Sequence, residues 1–199
     1  MLDYTKRAKN YDQRWQHYCL PSFSQSLQIL DLNQDSRLLD VGCGTGIFLE
    51  ILEKKFPATE FNGIDPNQAM LAKASEKLSS KVHLEIGNAE SLPYNSQSFD
   101  WVVLSNCLGH INNQEVALSE AHRVLADNGK IIITDWTRDF LTMRMLNLYT
   151  QLFDYAEYNS LKSSETLEML EKLHFNCIST ESYKINWFWG LYTILAVKG

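Results

Sequence analysis

The sequence predicts an α/β fold, a largely parallel sheet covered by helices on both faces. Three observations carry this. Beyond residue 37, short apolar strand patterns alternate with helical periodicities, the order that builds parallel βαβ units. The first strand pattern runs into Gly42-Cys43-Gly44-Thr45-Gly46 and at once into a helix start. Near the C-terminus two strand patterns share a short connector, which favours an antiparallel pair at the end of the sheet.

The first 30 residues read as helical and precede the sheet. Strand patterns follow at 37–42, 60–65, 81–86, 99–105 and 129–135. Between the first two, residues 46–55 place Phe48, Ile51 and Leu52 on one helical face. Residues 67–78 group Met70, Leu71, Ala74 and Leu78, with Asn67 as an N-cap whose short side chain accepts from first-turn amides. Residues 113–126 group Ala117, Leu118, Ala121, Val124 and Leu125, and Asn128-Gly129 is the expected helix stop. Residues 140–158 are rich in aromatics and read as a helix or a lid-like insertion. Residues 164–173 read as a short helix, and 175–185 and 187–197 as the terminal strand pair. A single domain over 1–199 is expected, since 199 residues suit one core and no linker or repeat interrupts them.

Composition narrows the function. Hydrophobic residues at 45% and charged residues at 21% fit a soluble globular protein. A net charge of −6 with no basic stripe argues against a nucleic-acid partner, because nothing supplies the counterion-release term. Cys19, Cys43, Cys107 and Cys177 show no metal-ligand or paired spacing, so neither a metal site nor a disulfide framework is expected. Scattered thiols suit a reducing compartment. No apolar run approaches membrane-spanning length and no signal-like segment opens the chain, so the expectation is a cytoplasmic protein without stable membrane insertion.

Four features fall just past strand patterns, where open α/β sheets bind ligands. They are the glycine loop at 42–46, Asp65 in Gly-Ile-Asp-Pro-Asn, Gly87-Asn88-Ala89-Glu90, and Ser105-Asn106-Cys107-Leu108-Gly109-His110. Each has a plain alternative: a tight turn, a helix N-terminal charge, an Asx turn. Their joint register favours a nucleotide-like ligand, with Asp65 placed to accept from a ribose diol. A dinucleotide fingerprint would carry its third glycine where Ile47 stands. Asp40, inside the preceding strand, repels a pyrophosphate and suits a cationic ligand bearing a sulfonium and an ammonium, which favours S-adenosylmethionine.

Here the residues resemble the class I S-adenosylmethionine-dependent methyltransferases, and more closely their UbiE-like, methyltransferase type 11 group. The matching segments are LLDVGCGTG at 38–46, GIDPNQAML at 63–71, GNAESLPYNSQSFDWVVLSNCLGHI at 87–111 and EAHRVLADNGKIIITDW at 120–136, and YTKRAKNYDQRW at 4–15 is similar too. The resemblance implies a Rossmann-like seven-stranded, mostly parallel sheet with one antiparallel strand near the C-terminal edge. It implies S-adenosylmethionine as cofactor and S-adenosylhomocysteine as its product. Carried over position by position, Gly42, Cys43 and Gly44 meet the methionine moiety beside Asp40. Asp65 takes the ribose hydroxyls, Pro66 borders the adenine, and Asn88 and Ala89 face its edge. Ser105 and Asn106 lie near the methionine amine, and Tyr4 and Tyr11 close over the cofactor. Position 88 is commonly Asp in the group; Asn keeps an acceptor, which implies weaker binding rather than loss.

The acceptor is less explicit. Methyl transfer from a sulfonium is an in-line displacement governed by alignment, and a base is needed only for a hydroxyl or carbon acid. His110 is the histidine placed near the inferred methyl, as a base or as a substrate-positioning residue. Cys107 reads as a structural thiol. Residues 1–30 are expected to act as a lid and 136–160 as an acceptor-site insertion. Trp136, Phe140, Tyr149, Phe153, Tyr155, Tyr158 and Trp187-Phe188-Trp189 are packing residues or the wall of a pocket for a planar, apolar small molecule. Arg138 and Arg144 are surface residues or contacts for an acidic group. The expected activity is methylation of a small-molecule acceptor at oxygen, nitrogen or carbon. Methylation of a protein or nucleic acid, non-catalytic S-adenosylmethionine binding and an NAD-dependent oxidoreductase are the alternatives.

Overall fold

The computed structural model describes residue 8, residues 10–152 and residues 158–199. Two helices, α1 (Tyr11–Ser22) and α2 (Ser24–Ile29), precede the first strand. Then follow β1 (Leu38–Val41), α3 (Ile47–Lys55), β2 (Phe61–Asp65), α4 (Gln68–Ser75), β3 (Val82–Ile86) and β4 (Phe99–Ser105). A 3₁₀ turn at Leu108–His110 leads to α5 (Gln114–Val124), β5 (Leu125–Trp136), α6 (Leu141–Leu152), α7 (Ser163–Lys172), β6 (Phe175–Lys184) and β7 (Gly190–Lys198).

The strands form one seven-stranded sheet in the order β3-β2-β1-β4-β5-β7-β6. Strands β1 to β5 pair in parallel, and β7 runs antiparallel to both β5 and β6. The antiparallel strand therefore sits one place in from the edge, as expected. Because β1 has neighbours on both sides and helices above and below, all four of its residues are buried.

Period-two alternation splits the core between the faces. Leu39, Val41, Val102, Leu104, Ile131 and Ile133 pack with Leu118, Ala121 and Val124 of α5 and Leu170 of α7. Leu38, Phe61, Trp101, Val103 and Ile132 pack on the other face with Tyr18 of α1, Phe23, and Phe48, Leu49 and Leu52 of α3. The helix N-termini follow the sequence: Asn67 Oδ1 accepts from the Ala69 and Met70 amides, and Asn113 Oδ1 from the Val116 amide.

Two boundaries depart from expectation. Helix α5 stops at Val124, and fully buried Leu125 already pairs with Phe99 in the sheet. The next pair is Trp101 with Lys130, so residues 126–129 bulge out through Asn128 at φ 61°. Asn128-Gly129 thus turns a bulge rather than ending the helix. At the other end, Trp187, Phe188 and Trp189 lie outside β7. Asn186 Oδ1 accepts from the Phe188 and Trp189 amides, an Asx turn that holds the three aromatics in the β6–β7 connection.

Candidate active site

The glycine loop turns through three left-handed positions, with φ 72° at Gly42, 55° at Gly44 and 74° at Gly46. A Cβ on Gly42 would stand 2.7 Å from the Cβ of Cys107, so the loop lies directly on the segment after β4. A Cβ on Gly44 would meet nothing within 4 Å, because Gly44 faces open space. That space is a cavity of about 280 Å³ bounded by the loop, Asp65, Pro66, Asn88, Ala89 and the turn through His110. A smaller recess of about 60 Å³ shares Tyr11, Gly42, Gly44 and Asn106 with it and reaches Asp40, Cys43 and Ser105. The sequence-derived site residues inside the described chain are thus brought together at the C-terminal ends of β1, β2, β3 and β4. Tyr4, Phe153 and Tyr155 lie outside the described residues.

Two buried carboxylates face this region from below. Asp40, 2% exposed, is pushed well above the usual carboxylate range by burial and by the nearby negative charge of Asp65. Burial also raises Asp65, while N–H groups donating to it oppose the shift. Gly44 N donates to Asp65 Oδ2 at 2.9 Å and Asn67 N to Oδ1 at 2.8 Å. A cation entering the cavity would relieve both acids, and a pyrophosphate would aggravate them. The Ser105 hydroxyl is buried beside the smaller recess and has no hydrogen-bond partner among the described residues. An open glycine cradle, an unpartnered hydroxyl and two acids starved of positive charge fit a sulfonium cofactor carrying an ammonium group.

Helix α1 brings Tyr11 to the cavity, in the part of the chain expected to act as a lid. Asp12 accepts from the Thr45 hydroxyl and the Lys77 ammonium, fastening the helix to the glycine loop and to the end of the α4 segment. Tyr18 donates to Asn106 Oδ1 at 2.5 Å and Asn106 Nδ2 donates to Ser22 Oγ at 2.9 Å. The Asn106 amide is therefore engaged with α1, and its backbone at φ 57° shapes the recess.

On the far side His110 lines the cavity, with an aromatic cluster packed behind it. The His110 ring meets Tyr158 edge-on at 4.7 Å, and Tyr158 packs against Trp136 at 4.5 Å. Trp136 continues to Trp189 at 4.6 Å, and its indole N–H donates to the Tyr18 hydroxyl. Asp135, 2% exposed at the end of β5, accepts from the Tyr158 hydroxyl, from Gly109 N at 3.0 Å and from Trp136 N at 2.8 Å. Burial raises this acid as well. Asp135 went unmarked in the sequence, although an acid closing a strand is the same signal that singled out Asp65. Met70, assigned to a helix face by periodicity, also lines the cavity. Arg138 pairs with Glu165 at 2.6 Å, whereas Arg144 is exposed.

Comparison with known proteins agrees with this geometry. A family model described as a methyltransferase domain matches residues 39–133. The chain is 34% identical over 119 residues to the ubiquinone/menaquinone biosynthesis C-methyltransferase UbiE of Campylobacter jejuni, covering 57% of this chain and 50% of that protein. It thus spans about half the length of these curated relatives. It is 32% identical over 162 residues to the demethylmenaquinone methyltransferase of Staphylococcus aureus, covering 78% of this chain and 67% of that one. A Thermotoga maritima S-adenosylmethionine-dependent methyltransferase superposes with a TM-score of 0.80 at 19% identity over 98% of both chains, a likeness of fold. The chain belongs to the class I S-adenosylmethionine-dependent methyltransferases, a family of enzymes that take the methyl group they transfer from that cofactor.

Proposed function

We propose that this protein methylates a ring carbon of a small aromatic, quinol-like acceptor. The observation that carries the reading is the cavity itself: a glycine and carboxylate cradle on one side and His110 on the other, its ring backed by Tyr158 and Trp136. The C-methyltransferase and demethylmenaquinone methyltransferase names of its relatives support the same acceptor class.

When bound, S-adenosylmethionine supplies a methyl carbon already activated by the sulfonium. The glycine loop at Gly42, Cys43 and Gly44 lets the backbone approach its methionine part, above Asp40 and beside Ser105 and Asn106. Asp65 keeps lone pairs for the ribose hydroxyls, Pro66 borders the adenine, and Asn88 and Ala89 read its edge. Tyr11 closes the mouth, with residues up to 30 acting as the lid. On the acceptor side, segment 136–160 backs His110 with Tyr158 and Trp136 and so holds the ring of the acceptor in line with the methyl, and alignment supplies much of the rate. His110 takes the acceptor's hydroxyl proton as the adjacent ring carbon forms its bond to the methyl; the hydrogen on that carbon then leaves as a proton when aromaticity returns.

Calorimetric titration with S-adenosylhomocysteine and with NADH tests the cofactor half: the first is expected to bind and the second is not. Asp65→Ala should weaken S-adenosylhomocysteine about 10- to 100-fold, the worth of hydrogen bonds to a charged acceptor. Incubation with S-adenosylmethionine and a short-chain demethylated quinol should yield a ring-methylated product, with His110→Ala slowing turnover at unchanged cofactor affinity. Binding of NADH but not S-adenosylhomocysteine would refute the reading.

A further inference from the structure

We propose that α6 and the β6–β7 turn form a lipid-facing surface, on which the protein rests while an apolar acceptor passes from a bilayer to the cavity. The acceptor part rests on the function proposed above; the surface stands on its own observations.

Helix α6 is turned inside out. Met143 is buried at 1%, and polar residues face inward with it: the Thr142 hydroxyl donates to the Phe188 carbonyl at 2.7 Å, and Asn147 Oδ1 accepts from Ser160 at 3.0 Å. The apolar residues face out, with Leu141 71%, Met145 65% and Leu148 57% exposed at helical spacing. Trp187, in the turn that Thr142 ties to the first turn of α6, is 81% exposed. A contiguous apolar stripe left in water marks a surface that another phase or molecule covers.

The charges choose the lipid. Residues 141–152 contain no Asp or Glu, and Arg144 is their one charged residue. Arg144 and Lys184 donate to the carbonyls of Arg138 and Trp187, and among the described residues neither forms an ion pair. Exposed Leu and Met, a tryptophan at the rim and unpaired cations beside it make the pattern of a helix lying in a headgroup layer.

The stripe also leads somewhere. From Trp187 the rings step to Phe188 at 5.5 Å, Trp189 at 4.9 Å and Trp136 at 4.6 Å. They continue to Tyr158 at 4.5 Å and His110 at 4.7 Å, on the cavity wall. An aromatic column thus joins the outermost apolar side chain to the candidate active site. The surface thus lies at one end of a run of packed rings whose other end is the candidate active site, a placement that suits an acceptor drawn from a bilayer.

Sedimentation of the full chain with phosphatidylcholine vesicles, with and without phosphatidylglycerol, tests the surface. The protein should pellet with both, several-fold more tightly with the anionic lipid. Leu141→Ser/Met145→Ser/Leu148→Ser should lose at least ten-fold in vesicle affinity. Trp187→Ser should lose several-fold and, being on an exposed turn, keeps the test readable if the triple variant fails to fold. Arg144→Glu should weaken binding only to the anionic vesicles. All are expected to retain S-adenosylhomocysteine affinity, since none of them lines the cofactor cavity. A wild-type protein that stays in the supernatant overturns the proposal, as do variants that pellet like wild type. Conversion of a wild-type dimer into monomer by the triple variant, without any effect on vesicles, overturns it in favour of self-association. Vesicle binding without turnover of any quinol upholds the surface and removes the acceptor reading; turnover without vesicle binding removes the surface alone.

Discussion

The two walls of the cavity are made of different material. On the β1–β3 side the surface is mostly backbone and short side chains, and its shape follows from three glycines at positive φ and an aspartate fixed by two amides. On the β5–β7 side His110 faces the cavity, and the rings of residues 18, 136, 158 and 189 are packed behind it. A backbone wall tolerates almost no substitution and recognises one ligand closely. A ring wall can be repacked, so it can be fitted to different acceptors on an unchanged cofactor site.

Three variants test that contrast. The largest effect is expected at Gly42→Val, where a β-branched side chain meets both a φ of 72° and Cys107 at 2.7 Å. A loss of about 2–4 kcal/mol in thermal or denaturant melts is expected, together with undetectable S-adenosylhomocysteine binding. Retained binding would mean the loop is less rigid than its geometry.

Tyr158→Phe addresses the other wall. It keeps the ring against His110 and Trp136 and removes the hydroxyl that Asp135 accepts, leaving a buried carboxylate short of a partner. A destabilisation of about 1–3 kcal/mol is expected with S-adenosylhomocysteine affinity kept within about two-fold. If cofactor affinity fell in step, the walls would not be separable.

The smallest effect is expected at Asp40→Asn, and it carries a sign. Burial raises the folded-state value of Asp40 above its unfolded value, near 3.9. Its contribution to stability is therefore complete below about pH 4 and declines as pH rises through the raised folded value. Asparagine does not titrate, so the variant should gain stability over wild type as pH rises above about 4 and nothing below it. Denaturant melts across that range check the slope. The same change should weaken S-adenosylhomocysteine, since an acid that costs stability when empty earns its place by meeting a cation.

Much of the cofactor side was legible in the chain because its determinants are local. Gly42, Gly44, Asp65 and Asn67 each stand at a fixed place in a strand–turn–helix unit, and spacing alone identifies such units. Boundaries failed where sheet pairing overruled propensity. Leu125 reads as the last apolar residue of a helix, but its place beside Phe99 draws it into β5. Phe188 and Trp189 read as strand residues until the Asn186 side chain captures their backbone amides in a turn.

Sequence by itself determined the alternating elements, the glycine loop and the acids Asp40 and Asp65, because periodicity and turn chemistry are written in adjacent residues. Tertiary structure alone decided which side chains fasten the N-terminal helix and the later loops around that loop. Tyr18 reaches Asn106 across 88 positions, Trp136 reaches Tyr18 across 118, and Asp135 gathers Tyr158 and Gly109. Contacts at such separations depend on how the helices and loops settle on the finished sheet, and no local pattern encodes them.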